Sequence, residues 1–215
     1  MRSTRRRFLA LTGVTLAAAS GFLADLFRPF RPRTARADGG WSIRRASYDD
    51  LADLSGIFNA QLEARLFPFT DRIESWTEEK AARVLDTYTG TLVLEFNEQV
   101  TGFAAFIDYT RAETESSIIP EADPEVKIFA LRVGALSREQ RIIAVKHLAL
   151  AVGRDLTRQG FRACEATIHA RTGFQDLFSD HLEVKHVDRL DDLPEAKLVR
   201  FRIGEIINDL EAQGL

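Results

Sequence analysis

The chain has 215 residues, with 29 Lys and Arg against 32 Asp and Glu and a formal net charge of −3 at pH 7. That balance excludes a basic nucleic-acid binder. The single cysteine, Cys164, excludes an intramolecular disulfide, and with Met1 as the only methionine a thioether metal site is excluded too. No metal is expected, because His147, His169, His181 and His186 are scattered and none has a spacing such as HExxH.

In chain order the first element is a targeting segment. Thr4-Arg5-Arg6-Arg7-Phe8-Leu9 precedes a weakly apolar run to Phe27, and Ala35-Arg36-Ala37 follows it. This resembles a twin-arginine export signal with a small-x-small cleavage site. The run is near the minimum of about 17–20 apolar residues that a spanning helix needs, so a retained membrane anchor is the alternative. Asp25 and the Ala-x-Ala site favour removal. The signal implies passage of the folded protein through the Tat translocon to a periplasmic or otherwise exported location. Residues 38–215 then form one domain by length. Residues 1–37 hold eight of the basic and one of the acidic residues, so the mature part carries a net charge of −10.

Residues 41–46 read as a strand. Ser47 with Asp50 caps a helix whose stripe is Leu51, Leu54, Phe58 and Leu62, and Pro68 ends it. Ser75 with Glu78 is a second capping box, opening a helix through Leu85. Strands 92–96 and 100–108 flank a tight hairpin at Asn97-Glu98. A polar, acidic loop follows at 109–124, then a strand at 126–133. Ser137 and Gln140 cap a third helix with apolar spacing at Ile142, Val145, Ala149, Val152 and Leu156, stopped by Gly160. A strand at 163–168 holds Cys164 as a small buried hydrophobe. A short helix at 173–180, strands at 184–187 and 197–203 and a terminal helix complete the chain. The fold class is α/β, a single domain with a central mixed, mostly antiparallel sheet flanked by helices.

From about Trp41 to Ile203 this order resembles the GNAT superfamily of N-acetyltransferases. The opening Ser42-Ile43-Arg44-Arg45-Ala46 with Asp50-Leu51-Ala52-Asp53-Leu54 is similar to the family's first strand and helix. Ile57-Phe58-Asn59 with Phe69-Thr70 and Glu74-Ser75 is similar to its acceptor-binding helices. Leu92-Val93-Leu94-Glu95 and Val100-Thr101-Gly102-Phe103 resemble its second and third strands. Leu131-Arg132-Val133, the long helix and Gly160-Phe161 resemble its cofactor core. The resemblance implies acyl transfer to an amine, with acetyl-CoA or another acyl-CoA as cofactor. It also implies a fourth strand splayed from the fifth, with Leu131 and Val133 against the pantetheine arm.

The family's next loop reads Arg/Gln-x-x-Gly-x-Gly/Ala, its glycines admitting a pyrophosphate to backbone amides. Here the motif falls on Arg138-Glu139-Gln140-Arg141-Ile142-Ile143, or two residues later, and neither register supplies the glycines. Arg138 and Arg141 remain as phosphate ligands. The family's tyrosine acid is replaced by Phe178, which has no proton to give. Both departures imply that transfer is weakened or lost.

Glu165 and His169, on one face of the fifth strand, read as a proton-transfer pair, and Glu95 as a base reached through water; the alternatives are a solvated edge and a solvated strand end. Leu66-Phe67-Pro68-Phe69 would line an apolar pocket or belong to the core. Residues 113–119 end in Ile118-Ile119, which would mark a contact surface. Three functions stay open: a GNAT-type acyltransferase, a non-catalytic descendant binding a small acyl or anionic ligand, and an interaction subunit of an envelope protein complex.

Overall fold

The computed structural model describes residues 40–67, 73–108, 123–169, 178, 180, 182–185 and 196–215. The export segment 1–37, Pro68 and Phe69, the loop segment 109–122, most of the 173–180 stretch, His181 and His186 lie outside the described residues.

β1 (Trp41–Arg45) leads through a one-turn 3-10 segment (Tyr48–Asp50) into α1 (Leu51–Glu63). Asp50 Oδ2 accepts from the Ser47 backbone N–H at 2.7 Å and from Ser47 Oγ at 3.1 Å, so the first capping signal acts as read. α1 ends at Glu63 and turns at Arg65, whose φ is +53°; the helix stops ahead of Pro68.

α2 (Glu78–Thr87) begins two residues later than expected. Its N-cap is Thr77, whose Oγ1 accepts from the Lys80 N–H at 3.3 Å. Ser75 does not open the helix, because Asn59 of α1 takes both backbone polar groups of the next residue. The Trp76 N–H donates to Asn59 Oδ1 at 2.7 Å, and Asn59 Nδ2 donates to the Trp76 carbonyl at 2.9 Å.

β2 (Gly90–Phe96) and β3 (Gln99–Ile107) form the hairpin. Asn97 and Glu98 both have positive φ, +50° and +67°, the requirement of a two-residue turn that matches strand twist. There follow β4 (Glu125–Leu131), α3 (Arg138–Arg158), β5 (Ala163–His169), β6 (Leu182–Lys185), β7 (Ala196–Arg202) and α4 (Ile203–Ala212). The seven-stranded sheet has the order β1-β2-β3-β4-β5-β7-β6. Among the described residues only β4 and β5 pair in parallel; a parallel pair needs a crossover, and α3 supplies it.

Both faces of the sheet are covered, which is why β2 and β3 read as nearly unbroken apolar runs. On one face Leu92, Leu94, Ala104, Phe106, Cys164, Ala166 and Ile168 pack against α3 and α4. On the other, Val93, Phe103, Ala105, Ile128 and Ala130 pack against α1 and α2. The inward face of α3 is Ala144, Leu148, Val152 and Leu156. Ile142, Val145 and Ala149, expected to lead that face, are its half-buried shoulder. Phe67 is core: it stacks on Phe58, which also stacks on Trp76 with ring centroids 4.1 Å apart.

Candidate functional site

Among the described residues β4 and β5 pair at only two positions, Glu125↔Glu165 and Val126↔Ala166. The Glu165 N–H closes this end by donating to the Pro124 carbonyl at 2.9 Å. Beyond it β4 runs on to Leu131 and β5 to His169 without further pairing, so the two strands diverge into a V. The cause is visible on the other edge of β4. Phe106 pairs with Val126 and Ala105 with Ile128, leaving Lys127 as an extra residue. A bulge bends its own strand and raises its twist, and this one lies where the β5 pairing stops.

The segment from β4 to α3 is tied down against β3 and α1. The Arg132 N–H donates to the Thr101 carbonyl at 2.7 Å, its Nε to the Val100 carbonyl at 3.1 Å, and its guanidinium pairs with Asp53 at 2.5 Å. Gly134 turns the chain at φ +77°, a conformation glycine adopts without a Cβ penalty. Leu136 is buried in the core.

α3 starts immediately after Ser137. Both registers of the glycine motif therefore fall inside the helix, where each position carries a side chain. Ser137 Oγ accepts from the Gln140 N–H at 3.2 Å, and Gln140 Oε1 accepts from the Ser137 N–H at 2.9 Å. The Arg141 N–H is committed to the Ser137 carbonyl at 2.9 Å. Of the first-turn amides, those of Arg138 and Glu139 are left to outside acceptors.

The expected site residues divide into three groups. Leu131 ends β4 and is buried, and its carbonyl accepts from Gln61 Nε2 of α1 at 2.7 Å. Val133 lies past the strand end, in the turn and exposed, because β4 stops two residues earlier than expected. Arg138 and Arg141 are exposed on the first turn of α3.

Glu165 sits at the closed end of the V and is fully buried. His169 ends the diverging arm of β5, in register with Ala196. Four residues of extended strand separate the two by about 13 Å, so they do not form the direct proton-transfer pair expected from their shared face.

Glu95 belongs elsewhere. It lies on β2, and β3 separates that strand from β4. Its carboxylate accepts from Arg44 Nε and Ser42 Oγ, each at 2.8 Å. The same guanidinium forks onto Asp50 at 2.7 and 2.8 Å. Burial pushes the Asp50 carboxyl upward, but Arg44 and the Ser47 N–H outweigh it and hold it below the ordinary range. This knot joins β1, β2 and the start of α1.

Phe178 is buried in the core. Burial, with Asp123 and Glu165 nearby, pushes the Cys164 thiol up to about 12, which removes it as a nucleophile at neutral pH. His147 is half-buried with its ring 6.0 Å from that of Trp41, and burial lowers its pKa. The sequence reading missed Lys127, Glu125 and Gln61, and gave Arg132 no role of its own. Lys127 Nζ lies 3.3 Å from the buried Glu125 carboxylate at the closed end of the V. A charged Glu-x-Lys interrupting an otherwise apolar strand was the available signal.

No protein-family model matches the chain, and no curated protein matches it by sequence. Solved structures do match. A PaiA N-acetyltransferase from Thermoplasma acidophilum, in complex with coenzyme A, has a TM-score of 0.54 at 16% identity over 75% of this chain and 98% of that one. A ribosomal-protein-alanine N-acetyltransferase from Brucella melitensis has 0.54 at 18%, over 74% and 97%. The chain has the GNAT acetyltransferase fold. YncA of Salmonella typhimurium, with acetyl-CoA, has 0.52 at 18%, over 76% and 94%. At these identities the likeness is one of fold.

Proposed function

We propose that this is an exported GNAT-fold protein whose V-shaped opening binds an acyl thioester, and in which acyl transfer to an amine is weakened or lost. The observation that carries this reading is the divergence of β4 from β5 after two pairs. Two strands that separate inside a sheet leave backbone donors and acceptors facing a gap, and an extended amide chain satisfies them. The acetyltransferases of similar fold include complexes with coenzyme A and acetyl-CoA.

Acyl-CoA would be the cofactor of an active enzyme, and this chain fits its two halves unequally. The opening suits the amide arm. The glycine-free start of α3 leaves the diphosphate to Arg138 and Arg141, which are solvent-exposed charges worth little in salt. Weakened chemistry has two supports: Glu165 is sealed in the interior, and Phe178 stands where the family's acid is expected. The export-type signal in residues 1–37 supports work outside the cytoplasm, where acyl-CoA is not supplied. A non-catalytic subunit of an envelope complex is the second reading, favoured by the same losses.

The test is calorimetric titration of acetyl-CoA, with thiol release assayed against a panel of amines. Binding in the range of about 0.1–1 mM and thiol release at the background rate are expected. Micromolar binding with turnover would show an intact transferase. Absence of binding at millimolar ligand would remove the thioester reading and leave the interaction subunit.

A further inference from the structure

The start of α3 satisfies several of its own donors. A bound diphosphate needs several converging N–H donors and no side chain in the way. Here the Ser137 N–H is taken by Gln140 Oε1 at 2.9 Å, the Gln140 N–H by Ser137 Oγ at 3.2 Å, and the Arg141 N–H by the Ser137 carbonyl at 2.9 Å. Glu139 adds a carboxylate to the same first turn, the position where an approaching anion would be repelled. Residues 138–143 are Arg, Glu, Gln, Arg, Ile and Ile, so each carries a side chain where the backbone would have to meet the phosphates. The surrounding mature chain carries a net charge of −10, which opposes a polyanion further.

The V makes the opposite demand. Residues 127–131 of β4 and 167–169 of β5 run past their last shared pair with no strand between them among the described residues. What such edges bind is an extended chain with amide groups, through backbone hydrogen bonds that need no charge.

Resting on the thioester reading above, we propose that the ligand is phosphate-free: a thiol or thioester on an extended diamide chain, of the pantetheine class, bound without help from a nucleotide diphosphate. The opening then serves the arm alone, because the start of α3 leaves only the Arg138 and Glu139 amides, beside the Glu139 carboxylate, to meet a diphosphate.

The test compares three probes by calorimetry on the full chain: pantetheine, coenzyme A and ADP. Pantetheine and coenzyme A are expected to bind with dissociation constants within about threefold of each other, with no heat from ADP. Coenzyme A binding about thirtyfold or more tighter than pantetheine, or ADP displacing pantetheine, would overturn the proposal while leaving the thioester reading intact. Failure of all three probes to bind would overturn both.

Discussion

Ser137 separates a self-satisfied helix start from a phosphate-binding one. In Ser137→Ala the hydroxyl that accepts the Gln140 N–H at 3.2 Å disappears, while the backbone N–H that donates to Gln140 Oε1 at 2.9 Å stays. Half of the reciprocal box is therefore lost. Removing a serine N-cap costs about 1 kcal/mol, and for a domain of this size that lowers the melting temperature by about 2–4 °C. The freed Gln140 amide becomes available to an anion. One exposed N–H to a phosphate oxygen is worth about 0.5–1 kcal/mol net, so coenzyme A affinity should hold or improve by up to about fivefold while stability falls. Differential scanning calorimetry reads the first quantity and titration calorimetry the second. A tenfold loss of coenzyme A affinity in Ser137→Ala would refute the reasoning, because the hydroxyl would then be a ligand rather than a cap.

Further outcomes follow from the same geometry. Asp50→Asn should cost about 2 kcal/mol, below the value for a fully buried pair because Arg44 is partly exposed and keeps Glu95. The Asp50 carboxyl is depressed in the fold, so its stabilisation is present above the ordinary carboxylate range and is lost as pH falls through the folded value. Urea titrations should show the gap between wild type and Asp50→Asn closing below about pH 4; a gap that persists there would point to packing instead. Cys164 should resist a thiol-specific disulfide reagent at neutral pH until the protein unfolds, and fast labelling of the native chain would contradict its burial. Replacing Arg5 and Arg6 together by lysine should strand the protein in the cytoplasm, as read by cell fractionation; unchanged export would remove the twin-arginine reading.

Most of the fold was legible because its signals are local. The hairpin at Asn97-Glu98, the Ser137 cap and the stop at Gly160 each depend on a few adjacent residues, and each stands where it was read. The α2 start was misplaced because the residue that decides it, Asn59, sits 17 positions earlier and acts through tertiary hydrogen bonds. On α3, Val152 and Leu156 face inward as read, while Ile142, Val145 and Ala149 are half-buried, because Ala144 and Leu148 beside them offer a second apolar stripe. The site was legible in outline and hidden in detail. Arg138 and Arg141 were named from the motif register, and the structure puts both in the first turn of α3. The depth of Glu165 and the binding of Glu95 by Arg44 depend on neighbours across the sheet. The divergence itself turns on one extra residue, Lys127, and register across strands is not written in either strand alone.

The central claim is that the gap between β4 and β5 is the binding site. Backbone amide shifts recorded by heteronuclear NMR during pantetheine titration test it most directly. The predicted result is a saturable shift at residues 127–131 and 167–169, with residues 78–87 of α2 unmoved. Saturable shifts confined to surfaces outside the V, or none at millimolar pantetheine, would contradict it.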